Sequence, residues 1–125
     1  MNTNSKKYID GFVIPVKKKK LAAYRKMAIE GAKMWKKLGA LEYFECVGDD
    51  LHVKKMMGMG FKKMAGLKKD ETVVFSFIVY KSKAHRDAIN KKMMSDSAMQ
   101  NFDMSSMPWD MKRFACGGFK TLVEA

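Results

Sequence analysis

Cysteine is scarce. Cys46 and Cys116 are the only two, and they form no CxxC pair. That excludes a disulfide framework and a thiolate metal centre, and it suits a reducing compartment. Histidine is as rare, with His52 and His85 the only ones. Without a histidine cluster, a zinc or haem site lacks ligands, so neither a metal nor another cofactor is expected. No apolar run approaches the ~20 residues of a membrane-crossing helix, so no membrane partner is expected. The opening MNTNSKKYIDGF has lysines but no apolar core ahead of a small-residue cleavage site. Residues 1–6 are therefore read as a flexible N-terminus and the protein as cytoplasmic.

Acidic residues are also few. Thirteen Asp and Glu face 25 Lys and Arg, for a net charge of +12. Such an excess points to nucleic acid, to an acidic surface or simply to solvated faces. The lysines are scattered as doublets, with Lys17–Lys20 the one longer run. No aromatic stacking pattern is interleaved with them. The reading is a solvated surface, with nucleic-acid binding weak and non-specific at most. Charge gathered on one face would be the stronger sign of a binding footprint.

What the chain does have is hydrophobic patterning. Its 125 residues are 47% hydrophobic, which fits one domain over 1–125. Tyr8–Val16 alternates as a strand. Lys18–Leu38 turns helical, with Leu21, Tyr24, Ala28, Ala32, Trp35 and Leu38 on one stripe and Gly39 as the stop. Leu41–Val47 is a second strand, ended by Gly48, Asp49 and Asp50. Leu51–Asp70 reads as a long connection with short strand pieces. Glu71–Tyr80 is the third strand. Ser82 caps a second helix over Lys83–Met94, and Asp96–Phe102 adds a helical turn. Lys112–Val123 is the last strand, with a bulge at Gly117–Gly118.

The order βαββαβ predicts an α+β, ferredoxin-like fold: a four-stranded antiparallel sheet in the order 4-1-3-2, with both helices on one face. The third strand, ETVVFSFIVY, is apolar on both alternations. One alternation faces the helices. The other needs a cover that the chain does not contain, and a second copy packed sheet to sheet would supply it. Tyr8, Phe12 and Ile14, or their neighbours, are expected to extend that interface along the first strand.

The strings YIDGFVIPV, AYRKMA, FECVGDD, DETVVFSFIVY, RDAINKKMMSD, MPWDMKRF and GGF, in that order, resemble the YbaA-like bacterial proteins. These are uncharacterised proteins of a domain of unknown function in the dimeric α/β-barrel superfamily. The resemblance spans about Tyr8 to Val123. It implies a homodimer whose two sheets close into a barrel, and it implies no particular reaction. Val47, Met111 and Cys116 stand where that family usually has Trp, Gly and Tyr.

Candidate site residues are few. Glu45 lies inside a strand and shares a face with Leu41, Tyr43 and Val47, so it is a candidate for a pocket between sheet and helices. Asp49 and Asp50 read as an acidic turn. Trp109, Asp110 and Arg113 offer an aromatic platform, a carboxylate and a guanidinium for a polar ligand. The alternative for them is a structural Arg113–Asp110 pair. In the expected strand order Glu45 and Arg113 lie on opposite edges of one sheet, so a shared site would form across a dimer seam. His85 reads as a surface residue. Met56, Met57, Met59 and Met64 read as adaptable packing rather than a soft-metal site. The cysteines read as small strand hydrophobes on opposite edges, too far apart to bridge. The expected function is a dimer that binds or transforms a small molecule. The alternatives are a nucleic-acid-binding module and a regulatory or structural dimer. Whether the protein is an enzyme stays open at this level.

Overall fold

The computed structural model describes residues 1–54, 57–96 and 106–125. Strand β1 (Tyr8–Lys17) leads through a 3-10 turn at Lys18–Lys20 into helix α1 (Leu21–Leu38). Then come β2 (Glu42–Val47), the short helix α2 (Phe61–Met64), β3 (Glu71–Tyr80), α3 (Lys83–Ser95) and β4 (Ala115–Lys120). The sheet runs β2-β3-β1-β4, antiparallel throughout, which is the expected order. The helix expected at Asp96–Phe102 lies mostly outside the described residues; Asp96 itself is the C-cap of α3.

Local chemistry explains the element ends. The first helix starts at Leu21 rather than Lys18, because no side chain caps it and its first turn has no acidic residue. Four lysines at a helix N-terminus oppose the macrodipole. At its far end Gly39 takes φ 116°, and the N–H groups of Gly39 and Ala40 return to the carbonyls of Lys36 and Trp35. Ser82 caps α3 as expected, its Oγ accepting from His85 N at 3.1 Å.

Two expectations for the second half are corrected. The connection over 51–70 forms a four-residue helix, with no strand among its described residues. The last strand is shorter than Lys112–Val123 and pairs residue for residue with β1, so Gly117–Gly118 makes no bulge. The glycines serve close approach instead. The Tyr8 ring lies against Gly118, where a Cβ would overlap its hydroxyl. Asp110 shortens the strand by holding a turn, its Oδ1 accepting from Lys112 N at 2.9 Å.

The helix face of the sheet carries two linked cores. Ile14, Val16 and Val74 pack with Tyr24 and Ala28 of α1. Ile78 and Tyr80 pack with Ala40 and Ile89. Tyr8, Phe12 and Ile14 point to this covered face, because they pair with the even-numbered residues of β3. Their neighbours Ile9, Gly11 and Val13 lie on the open face, where they line a groove of about 480 Å³ with Phe75, Phe77 and Phe119.

The open face bears a row of phenylalanines. Phe44 stacks on Phe77 with centroids 4.9 Å apart, Phe77 neighbours Phe75 at 5.9 Å, and Phe61 of α2 meets Phe75 edge-on at 6.2 Å. Part of the cover thus comes from the chain's own long connection. Even so, Phe75 stays 45% exposed and Phe119 60%.

At the chain ends, Asn2 and Glu124 form an isolated β-bridge. The Glu124 carboxylate accepts from Ser5 Oγ at 2.6 Å and Lys7 Nζ at 2.8 Å. Residues 1–6, expected to be flexible, carry these contacts. Among the described residues no helix is long and apolar enough to cross a membrane.

Candidate functional site

Residue Glu45 sits on the helix face of the edge strand β2, as its alternation with Tyr43 and Val47 requires. Its Oε2 accepts from Tyr24 OH at 2.7 Å and its Oε1 from Tyr43 OH at 2.8 Å. Tyr24 is placed by the apolar stripe of α1, Tyr43 by β2 itself. Both phenols are pushed well above their ordinary pKa, first by burial and then by the charge and hydrogen bond of Glu45. They therefore stay protonated and donate at neutral pH.

These three groups form the polar part of a cleft of about 710 Å³ between α1 and the sheet. The remaining wall is largely apolar, with Leu21, Ala28, Ile29 and Val74 among its residues. Arg25 lines the same cleft, yet Glu45 has no ion-pair partner among the described residues. Each carboxylate oxygen keeps a lone pair beyond the one its tyrosine uses. The arrangement is a fixed acceptor, able to take a hydrogen bond or a proton from a group that enters an apolar groove.

The other candidates do not join it. Arg113 pairs with Glu71, NH1 to Oε2 at 2.6 Å and NH2 to Oε1 at 2.8 Å, and NH2 also reaches the Gly66 carbonyl at 2.9 Å. The alternative of an Arg113–Asp110 pair is corrected: Asp110 holds its own turn while Arg113 binds the start of β3. Hydrogen bonding to Arg113 draws the Glu71 carboxyl down to about 2, against the opposing effect of burial. Arg113 thus has its countercharge within its own chain and does not require Glu45 across a seam.

Trp109 takes a supporting position. Its ring meets Tyr24 edge-on at 5.4 Å and Phe114 at 6.2 Å, so it backs the tyrosine that holds Glu45. Its buried Nε1 has no hydrogen-bond partner among the described residues. Asp49 lies in the loop after β2 and lines a second cleft, while Asp50 is exposed beside it.

His85 is half-buried rather than on the surface. Its Nδ1 accepts from Lys81 N at 3.0 Å, and its ring stands edge-on to Tyr80 at 6.1 Å. Beyond it, Arg86 reaches Asp10 at 2.8 Å and lies 4.8 Å over the Tyr8 ring. Burial raises the Asp10 carboxyl, partly offset by Arg86.

Both cysteines are free and exposed, on opposite edge strands. The described methionines of the connection, Met57, Met59 and Met64, are exposed rather than packed; Met56 lies outside the described residues.

Reading the sequence missed the partners. The sequence pattern sets Tyr24 in the helix stripe and Tyr43 beside Glu45 without showing what either hydroxyl meets. A tyrosine in an apolar stripe is itself a signal, because its buried hydroxyl needs a partner. Glu71 as the mate of Arg113 had no such signal, since 42 residues separate them.

The fold resembles that of a dimeric ferredoxin-like protein from an uncultured marine organism, with a TM-score of 0.56 at 15% identity over 95% of this chain and 99% of that one. At that identity the likeness carries the fold, which is ferredoxin-like. The uncharacterized protein YbaA of Escherichia coli K12 is 44% identical over 118 residues, covering 94% of this chain and 98% of that protein. The YbaA protein of Shigella flexneri matches to the same extent. The family described as "Protein of unknown function (DUF1428)" matches residues 7–111, a span that holds Tyr24, Tyr43, Glu45 and Trp109 and ends before Arg113. On that match and that identity, the chain belongs to the DUF1428 family.

Proposed function

We propose that this protein is a cytoplasmic homodimer of single-domain chains, 1–125, and that each protomer binds a small molecule in the cleft between α1 and the sheet. The observation that carries the reading is Glu45, a carboxylate held by two phenols in a largely apolar groove without a cation paired to it. A carboxylate in such a place favours a ligand with an apolar body and a donor group, an ammonium best of all. The phenylalanine row supports the dimer, because an apolar patch of this kind on a monomer marks an interaction surface. The marine ferredoxin-like structure, described as dimeric, is in keeping with it.

Sedimentation at low micromolar concentration tests the assembly: a dimer is expected, and a species near 14.3 kDa overturns it. Benzylamine and benzoate test the cleft by chemical-shift perturbation. Benzylamine is expected to shift Tyr24, Tyr43 and Val74 and to lose that effect in Glu45→Gln. Equal perturbation by benzoate, or none by either probe, overturns the reading.

A further inference from the structure

The lysines that look dispersed along the chain converge in the fold. The C-terminal end of β1 pairs with the N-terminal end of β3, Lys17 opposite Glu71, and β2 ends beside the same stretch, Val47 opposite Val74. Lys18 N donates to the Asp70 carbonyl at 2.9 Å, and Gly48 N to the Val73 carbonyl at 2.8 Å. One end of the sheet therefore collects Lys17–Lys20, Lys62–Lys63 and Lys68–Lys69. Among the described residues, none of these eight forms a salt bridge.

That end is concave. A cleft of about 790 Å³ opens between the β1–α1 junction and the long connection, lined by Lys18, Lys62, Lys63 and His52. Leu51, Val53, Met59 and Leu67 give it apolar walls, and Gly58 and Gly60 bring backbone to its surface. Two acids line it. Glu71 is already neutralised by Arg113, which leaves Asp49 against three ammonium groups. Uncompensated like charge around a concavity focuses its field inward. A volume of this order suits a small molecule.

We propose that this cleft is a second site, distinct from the Glu45 cleft, that binds a phosphorylated small molecule, with Lys18, Lys62 and Lys63 on the phosphate and the apolar wall on the rest. A small ligand fits better than a nucleic-acid strand. The lysines line a cavity rather than a track, and its described lining residues include no Phe, Tyr or Trp for base stacking. Lysine binds phosphate as a point charge, so three of them around one group replace the fork of an arginine.

Pyrophosphate is the probe, titrated calorimetrically at about 0.15 M salt, where surface attraction is screened. One pyrophosphate per chain is expected, with a Kd of about 1 mM or tighter. Lys18→Ala/Lys62→Ala/Lys63→Ala is expected to weaken it by about ten-fold or more. Lys91→Ala/Lys92→Ala, on exposed positions of α3, and Glu45→Gln should leave it unchanged. Circular dichroism checks that each variant folds. Absence of pyrophosphate binding overturns the site. So does a single-stranded oligonucleotide bound at the same salt in its place, which would make the basic end a nucleic-acid surface. Equal weakening in the α3 variant would reduce the effect to net charge and overturn it as well.

Discussion

The two faces of β3 are both largely apolar and differ in fate. On one, Val74 and Ile78 are 2% exposed and Tyr80 is fully buried, covered by α1 and α3. On the other, Glu71, Val73 and Val79 are buried at the two ends while Phe75 remains 45% exposed in the middle. Apolar alternation thus states that a face seeks cover, without saying where the cover comes from. For the helix face it is local, reached through short links. For the open face, α2 of the long connection meets one edge of the phenylalanine row, and the centre stays exposed in the protomer.

Truncation on each face sharpens this contrast. Ile78→Ala removes packing from the closed core and is expected to cost about 3 kcal/mol in urea unfolding, with little change in association. Phe77→Asp on the open face should act the other way. It is expected to weaken the dimer at least 100-fold, roughly 2.7 kcal/mol, by sedimentation equilibrium while the protomer keeps its fold. An Ile78 variant that dissociates without unfolding, or a Phe77 variant that unfolds as a dimer, would break the comparison.

A smaller effect lies at the covered end of the open face, where Arg113 closes over Glu71. The carboxyl is lowered from the ordinary 4.5 to about 2 in the fold. Its pairing therefore favours the folded state above pH 4.5, and that contribution fades as pH falls toward 2. Glu71→Gln should lower the melting temperature by roughly 5 °C at pH 7 and very little at pH 2. Asp10, whose carboxyl is raised by burial, titrates in the opposite sense in both proteins and cancels in the difference. A melting-temperature gap that stays constant with pH would remove the ion pair from the account. The least effect concerns the cover itself. Ser82→Ala deletes the cap of α3 and should cost about 1 kcal/mol, measured by thermal unfolding.

The candidate site was half legible. Glu45 stood out because a charged residue inside an alternating strand must face something specific. Tyr24 was visible only as a stripe residue, since helical periodicity reports which side faces inward and not what the hydroxyl meets. Trp109 and Arg113 are four residues apart, and their proximity in sequence implied a shared task. The turn at Asp110 separates them, sending one to Tyr24 and the other to Glu71. The lysine doublets misled in the opposite direction, looking dispersed because sequence distance hides the convergence of strand ends.

The sequence by itself determined the order of elements, the strand pairing plan and which positions are apolar. Those follow from periods of 2 and 3.6 and from end signals at Gly39 and Ser82, all of which act over a few residues. Only the tertiary structure decided which groups meet: Glu45 with two tyrosines, Arg113 with Glu71, and Lys18 with Lys62 and Lys63 around one cleft. Such meetings depend on the register of distant segments, and register is fixed by the packing of the whole sheet rather than by any local stretch of chain.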